Sequence, residues 1–335
     1  VLNESQCIQT QEDETAQIIW WDGFMPTDYL LNMYPHQRIN RIPSMHLICH
    51  KNNTYRAFNA LKEMHPQVFT FFPNTYILPN QLNQFYNNSS KLIAQSAKNE
   101  TTPTWIYKPK SGQCGKGIYL IQDPHLLTNR FSGIVQTYIP PFLLNGYKFD
   151  FRFYVFIPTL SPFTVYLYKE GLTRICSKKY HPPTKENLGD NYMHLSNVSI
   201  NSKNPDSTNK FIQPASKTLN VINDPHLWEK IKRIVALSMI AQYHQIMAFV
   251  NEEEKQIVTS PHFNNLPENS LMLDKYHRYF HLLGIDIMIN DKMEPIILEL
   301  NDRPSMYVSS KDIDSPIKTN LIKDLLPLIN TNGSQ

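Results

Sequence analysis

The stretch Asp286-Ile-Met-Ile-Asn-Asp-Lys-Met-Glu-Pro-Ile-Ile-Leu-Glu299-Leu-Asn301 carries two apolar runs on either side of a polar turn near Asp291 and Lys292. It reads as a β-hairpin. With the turn centred between Lys292 and Met293, Asp286 falls opposite Glu299 with Cβ atoms roughly 5 Å apart, and Asn301, two residues on, faces the same way. Three oxygen-bearing side chains converge. Opposed like charges destabilise a ladder unless something neutralises them, and hard oxygen donors suit Mg²⁺, above all one shared with nucleotide phosphates. Taken alone, the same pattern more often means a strand-end turn residue and a glutamate on a wet sheet face.

Upstream, Lys148-Phe-Asp150-Phe-Arg152-Phe alternates strictly, placing Lys148, Asp150 and Arg152 on one face and Phe149, Phe151 and Phe153 on the other. One face is core and the other is polar. Arg174 follows after a hairpin and adds a second guanidinium near that polar face; such forks bind phosphoryl oxygens bidentately. The run Trp105-Ile-Tyr-Lys108-Pro-Lys-Ser-Gly112-Gln-Cys-Gly115-Lys-Gly117-Ile is a strand, a lysine, a glycine-rich loop and a return strand. Gly115 and Gly117 allow close backbone approach to phosphates and Lys108 supplies charge. No helix start follows the glycines, so this is neither a Walker A nor a dinucleotide-binding pattern, and it also fits an ordinary hairpin loop.

Further short β-type runs at residues 118–121, 153–157 and 164–168 suggest an antiparallel sheet. Residues 55–64 show helical spacing ended by Pro66, and Asp224-Pro225 starts a helix carrying Leu227, Ile231, Ile234, Val235 and Met239. The Asn- and Ser-rich residues 80–102 read as a linker, and residues 252–256 and 259–270 as exposed loops. Three units follow: residues 1–100, an N-terminal α/β subdomain; 101–180, with the glycine-rich loop; and 181–335, with the acidic hairpin.

The 335 residues, 41% hydrophobic, can bury a sizeable core. Residues 234–250, interrupted by Gln242, His244 and Gln245, read as a buried helix face and not a bilayer span, with His244 packed and hydrogen-bonded. The opening at Val1 shows no charged and apolar leader, which makes the cytoplasm the expected location. Cys7, Cys49, Cys114 and Cys176 form no C-x-x-C pair, which argues against a disulfide framework or a structural zinc site. A net charge of +3 and the lack of a basic stripe interleaved with aromatics argue against a nucleic-acid partner.

Seven ordered motifs carry a family resemblance: Arg41-Ile-Pro-Ser-Met with Lys51 after it, Trp105-Ile-Tyr-Lys108-Pro, Gln136-Thr-Tyr-Ile-Pro, Gly146-Tyr-Lys-Phe-Asp-Phe-Arg152, Tyr166-Leu-Tyr-Lys-Glu-Gly-Leu-Thr-Arg174, His194-Leu-Ser-Asn197 and Glu299-Leu-Asn-Asp-Arg-Pro-Ser305. Over residues 39–306 the chain resembles the tubulin tyrosine ligase-like branch of the ATP-grasp ligases. The resemblance implies an α/β (α+β) ATP-grasp fold with the nucleotide clamped between two antiparallel-sheet subdomains. It implies ATP and Mg²⁺ as cofactors, with Lys51 and Lys108 on the phosphates and Gln136, Tyr138 and Ile139 in the adenine-contacting segment. Lys148 and Asp150 would lie on the nucleoside side, Arg152 and Arg174 on the γ-phosphate and the acyl phosphate, His194 and Asn197 along the catalytic cleft, and Asp286, Glu299 and Asn301 on magnesium.

The implied reaction joins an amino acid to a protein carboxylate through an acyl phosphate, which leaves Cys114 no role as a nucleophile. Residues 146–180 are similar to the glutamate-adding members, which makes glutamate the expected amino acid and the acidic tails of tubulin or microtubules the expected acceptor, with the chain itself expected to be a monomeric core; tyrosine or glycine ligation is the runner-up, and a non-catalytic tubulin-binding module the competing class. A cytoskeletal place, including cilium, flagellum or basal body, follows from the same resemblance. Lys178, Lys179 and Lys185 beside Arg174 would suit an acidic tail, or form a solvated face. The charged pair Asp302-Arg303 departs from the family's usual small or neutral residues there and bears on acceptor choice.

Overall fold

The computed structural model describes residues 10 and 13–329 apart from 24, 27, 97–101, 113–114, 206–210, 261–263, 266–274 and 309–312. The strands in chain order are β1 (Ile18–Ile19), β2 (Arg38–Ile39), β3 (Thr75–Leu78), β4 (Trp105–Pro109), β5 (Tyr119–Ile121), β6 (Gly133–Thr137), β7 (Leu143–Leu144), β8 (Tyr147–Leu160), β9 (Phe163–Ile175), β10 (Ile212–Pro214), β11 (His281–Ile289) and β12 (Pro295–Asn301). Two antiparallel sheets dominate. The smaller runs β3-β6-β4-β5; the larger runs β10-β9-β8-β11-β12, with β7 pairing at the start of β8. Cys114 lies outside the described residues.

Alternation along β8 divides the labour of the large sheet. Phe149, Phe151 and Phe153 enter the main core, against the helix Leu227–Val258, whose Ile231, Ile234, Val235 and Met239 are buried. On the opposite face Lys148, Asp150 and Arg152 give way, further along the strand, to Tyr154 and Phe156, which pack with Ile317, Leu321 and Leu325 of the helix Ser315–Leu325. One half of that face is therefore sealed by a helix, while the other half carries charge. Trp105, Tyr107 and Val135 of the small sheet form a separate core with Phe85.

Two loop expectations are corrected. Residues within 80–102 form the helix Leu82–Ser96, because Leu82, Phe85, Tyr86 and Ser89 fall on one face and Phe85 packs edge-on against Trp105 at 5.6 Å; that stripe outweighs the Asn and Ser content. Residues 252–256 continue the helix Leu227–Val258, since Glu254, 7% exposed, is held by Arg278 at 3.1 Å and by the Tyr279 hydroxyl at 2.7 Å. Both partners are distant in sequence. His244, expected to be packed, is exposed. That helix is the one described helix with the length and hydropathy to cross a membrane; its apolar face is spent on the sheet.

Candidate active site

A cleft lies between the two sheets. The small sheet contributes Ile106 and Lys108 from β4 and Gln136 and Thr137 from β6; the large sheet contributes Lys148 and Asp150 from β8, Arg174 from β9, Asp286 and Met288 from β11, and Leu298 and Glu299 from β12. Tyr138 and Ile139 line it just beyond β6, and His194, Ser196 and Asn197 close one wall. Eleven of the sixteen expected site residues line this one space. Arg152 and Lys51 are bound to the lining carboxylates Asp286 and Glu299, Asn301 follows Glu299 by two residues on β12, and Gly115 and Gly117 border an adjoining polar cleft.

Strand register accounts for the charge arrangement. Arg174 lies opposite Asp150 across β9 and β8, Arg152 opposite Asp286 across β8 and β11, and Asp286 opposite Glu299 across β11 and β12. Arg174 grips Asp150 bidentately at 2.7 and 2.8 Å and reaches Asp286 at 2.8 Å. Arg152 also grips Asp286 with two nitrogens. Burial alone would raise the Asp286 carboxyl, but the two guanidinium groups outweigh it and hold the acid well below the usual carboxylate range. Gly284 makes room for this, since a Cβ there would come within 3.1 Å of Arg152 Cδ.

The like charges expected to need a cation are thus neutralised first by the chain itself: Asp286 by two arginines and Glu299 by Lys51 at 2.9 Å. Some donor capacity remains. Glu299 Oε2 has no partner among the described residues, and the Asn301 side chain carries an amide oxygen two residues further along β12. Among the described residues no three His, Cys, Asp or Glu side chains gather into an all-protein cage. Two carboxylates and an amide oxygen are the hard donors that suit Mg²⁺ shared with phosphates.

His194 is buried and neutral: burial, with Lys148 nearby, holds it down at about 4. Lys148 Nζ donates to the Tyr138 hydroxyl at 3.0 Å; His194 Nε2 faces the acceptor Asn187 Oδ1 at 3.4 Å, which puts the ring proton on Nε2 and leaves Nδ1 to accept from the Tyr138 hydroxyl at 3.1 Å. His194 therefore orients Tyr138. Burial lowers the Lys108 ammonium to about 8, with Glu299 opposing the shift and Lys51 and Lys148 adding to it. Gln136, fully buried, donates to Thr75 Oγ1 at 2.9 Å while its Oε1 has no partner. Gly115, at φ +80°, lies where a Cβ would come within 2.5 Å of Ile200 Cδ1 and 3.1 Å of Asn197 Oδ1, so the glycine loop rests directly on the 197–200 turn.

A family model described as the tubulin-tyrosine ligase family matches residues 29–335. The chain belongs to the tubulin-tyrosine ligase family. Its mixed α/β architecture with two antiparallel sheets is consistent with the ATP-grasp-like fold of tubulin-tyrosine ligase family members. Tubulin polyglutamylase TTLL7 of Homo sapiens is 32% identical over 348 residues, covering 100% of this chain and 37% of the human protein. A probable beta-tubulin polyglutamylase of Tetrahymena thermophila is 31% identical, over 95% of this chain and 26% of its own length. Tubulin polyglutamylase TTLL6 of Homo sapiens is 30% identical, over 95% and 34%. The chain thus spans about a third of the length of the curated relatives it matches.

Several site residues escaped the sequence reading. Ser196, which donates to Asp150 at 2.5 Å, sits inside the quoted His194-to-Asn197 motif, and Met288 follows Asp286 at the period of a strand, so both had a signal. Thr75 had none, because its bond to Gln136 joins segments 61 residues apart.

Proposed function

We propose that this chain is the ligase core of a tubulin glutamylase, using ATP to join glutamate to acidic tubulin tails. The observation that carries the reading is the facing of two sheets: Arg174, Arg152, Asp286 and Glu299 in register on one, Lys108 and Gln136 on the other. Ile106, Met288 and Leu298 offer apolar contact to a base, while the unpartnered Gln136 Oε1 accepts from its exocyclic amine. Lys108 and Lys51 meet the phosphates. Asp286, Glu299 and Asn301 would hold Mg²⁺, which when bound neutralises phosphate charge.

In the first step an oxygen of the acceptor carboxylate bonds the γ-phosphorus and ADP departs. In the second the amine of the incoming glutamate bonds the acyl carbon, phosphate leaves, and the amine gives up its proton. Neither step needs a covalent enzyme intermediate. Among the described residues Nη1 of Arg152 and of Arg174 makes no hydrogen bond, because Nε and Nη2 of each are taken by carboxylates. Two oriented guanidinium edges are left to stabilise charge on the transferring phosphoryl group and on the acyl phosphate. Asp150 and Asp286 fix their direction, so no reorganisation accompanies the reaction.

The test supplies ATP, Mg²⁺ and unmodified microtubules with labelled glutamate, glycine or tyrosine in separate reactions. Glutamate alone is incorporated, and Glu299→Gln and Arg174→Ala each lower the rate by about a hundredfold or more. Label from glycine or tyrosine instead would retain the mechanism and replace the substrate. Loss of both labelling and ATP binding in the unaltered protein would leave a non-catalytic tubulin-binding fold.

A further inference from the structure

The pairing of β11 with β12 contains an irregularity on which the site depends. Ile289 faces Pro295, Met288 faces Ile296 and Ile287 faces Ile297, but the next pair is Asp286 with Glu299. Leu298 is the extra residue of a β-bulge. Continued without the bulge, the register would set Glu299 opposite Ile285, which points into the main apolar core. A one-residue slip exchanges the faces of a strand. The bulge is therefore what turns the glutamate out of the core and into the cleft.

A bulge frees a carbonyl from the ladder, and here that carbonyl has a partner. The hydroxyl of Tyr55, a residue 1% exposed, donates to Leu298 O at 2.7 Å, with Lys108 Nζ a longer second donor at 3.4 Å. The ring is fixed between Phe58 and Phe72, at 5.9 and 6.1 Å between centroids. Tyr55 lies in the helix Lys51–Met64, four residues after the lysine that bridges Glu299, so both project from one helical face. Consecutive residues of the bulged strand are thus held by one helix: the Leu298 carbonyl by the phenol, the Glu299 carboxylate by the ammonium.

We infer that Tyr55 is a positioning residue, whose hydroxyl pins the Leu298 bulge and thereby aims the Glu299 carboxylate at the cation and phosphate end of the cleft. The inference rests on Glu299 being a magnesium ligand as proposed above. Tyr55→Phe keeps the ring between Phe58 and Phe72 and removes only the hydroxyl. ATP binding is measured by titration calorimetry with magnesium varied and with magnesium chelated, for the unaltered protein, for Tyr55→Phe and for Tyr86→Phe. The last removes a hydroxyl that donates to the Leu127 carbonyl beside the small sheet, away from the bulge.

In Tyr55→Phe the magnesium concentration needed for half-maximal enhancement of ATP binding rises about tenfold, the range seen when groups that orient metal ligands are removed. Its affinity for ATP without magnesium changes far less than its magnesium response, because Gln136, which also hydrogen-bonds the Tyr55 hydroxyl, keeps its bond to Thr75, and Tyr86→Phe matches the unaltered protein in both conditions. Equal losses with and without magnesium would mean that Tyr55 only supports the fold, and an unchanged magnesium response would mean that the bulge holds without it; either result overturns the inference. An unaltered protein that binds ATP with no response to magnesium would instead remove the metal role of Glu299 from which the inference starts.

Discussion

Lys108 shows how one buried group acts on stability and on binding with opposite signs. Its ammonium titrates at about 8 in the fold, against 10.5 for the exposed group, because burial disfavours the charge. Between those values the unfolded chain binds more protons than the folded one, so stability rises with pH from about 8 to 10.5. A polyphosphate needs the charged form. ATP affinity in the unaltered protein therefore falls as pH rises from 7.5 to 9.5, approaching a tenfold loss per unit for one proton, whereas Lys108→Arg flattens the profile because a guanidinium stays charged. Affinities measured by calorimetry across that range check it, and a flat profile in the unaltered protein would place Lys108 away from the phosphates. At this scale the sequence was most readable where chemistry repeats along a strand: Lys148, Asp150 and Arg152 were legible from alternation alone. Glu299 was legible for a partly mistaken reason. The turn is centred on Lys292, not between Lys292 and Met293, and the Leu298 bulge restores the pairing that the sequence reading reached by a shifted turn.

Elements were legible where their stabilising contacts are local. The Phe alternation in β8 and the apolar spacing from Leu227 to Met239 each mark a buried face in a few residues. The far end of that helix was not legible, because Glu254 looks like one more solvated charge beside Glu252 and Glu253 until Arg278 and Tyr279, just before β11, are brought against it. Arg278 is 1% exposed and neither its Nε nor its Nη1 makes a hydrogen bond, so among the described residues the opposite charge of Glu254, 3.1 Å from Nε, is its compensation. Arg278→Ala, which leaves a buried carboxylate unpaired, costs about 3–5 kcal/mol. The double change Glu254→Leu with Arg278→Met recovers most of that loss, since apolar residues of similar volume replace a buried pair at little cost. Urea unfolding of the three variants decides the matter: equal stability of the single and double variants would show that the pair does not hold the helix end.

The whole molecule is organised so that neither sheet makes a site alone. The small sheet supplies a lysine and an amide, the large sheet supplies the arginines and carboxylates, and each has its own apolar core. Such a division was visible in the sequence only as separate motifs, because nothing in a linear pattern says that Lys108 Nζ will come to 3.4 Å from Leu298 O across 190 residues. It also makes a ligand the natural cross-link between the sheets. ATP with magnesium at a hundred times its dissociation constant adds about 2.7 kcal/mol to the stability of the folded state, and the location of that gain is informative. Amide exchange should slow in β4 and β6 together with β8, β11 and β12, since opening either sheet releases the nucleotide. With Glu299→Gln the protection of both sheets should fall together at a fixed ATP concentration, even though the substitution touches only β12. Protection confined to the small sheet would mean that the nucleotide rests on β4 and β6 without engaging the charged row opposite, and the row of arginines and carboxylates would then need a different ligand.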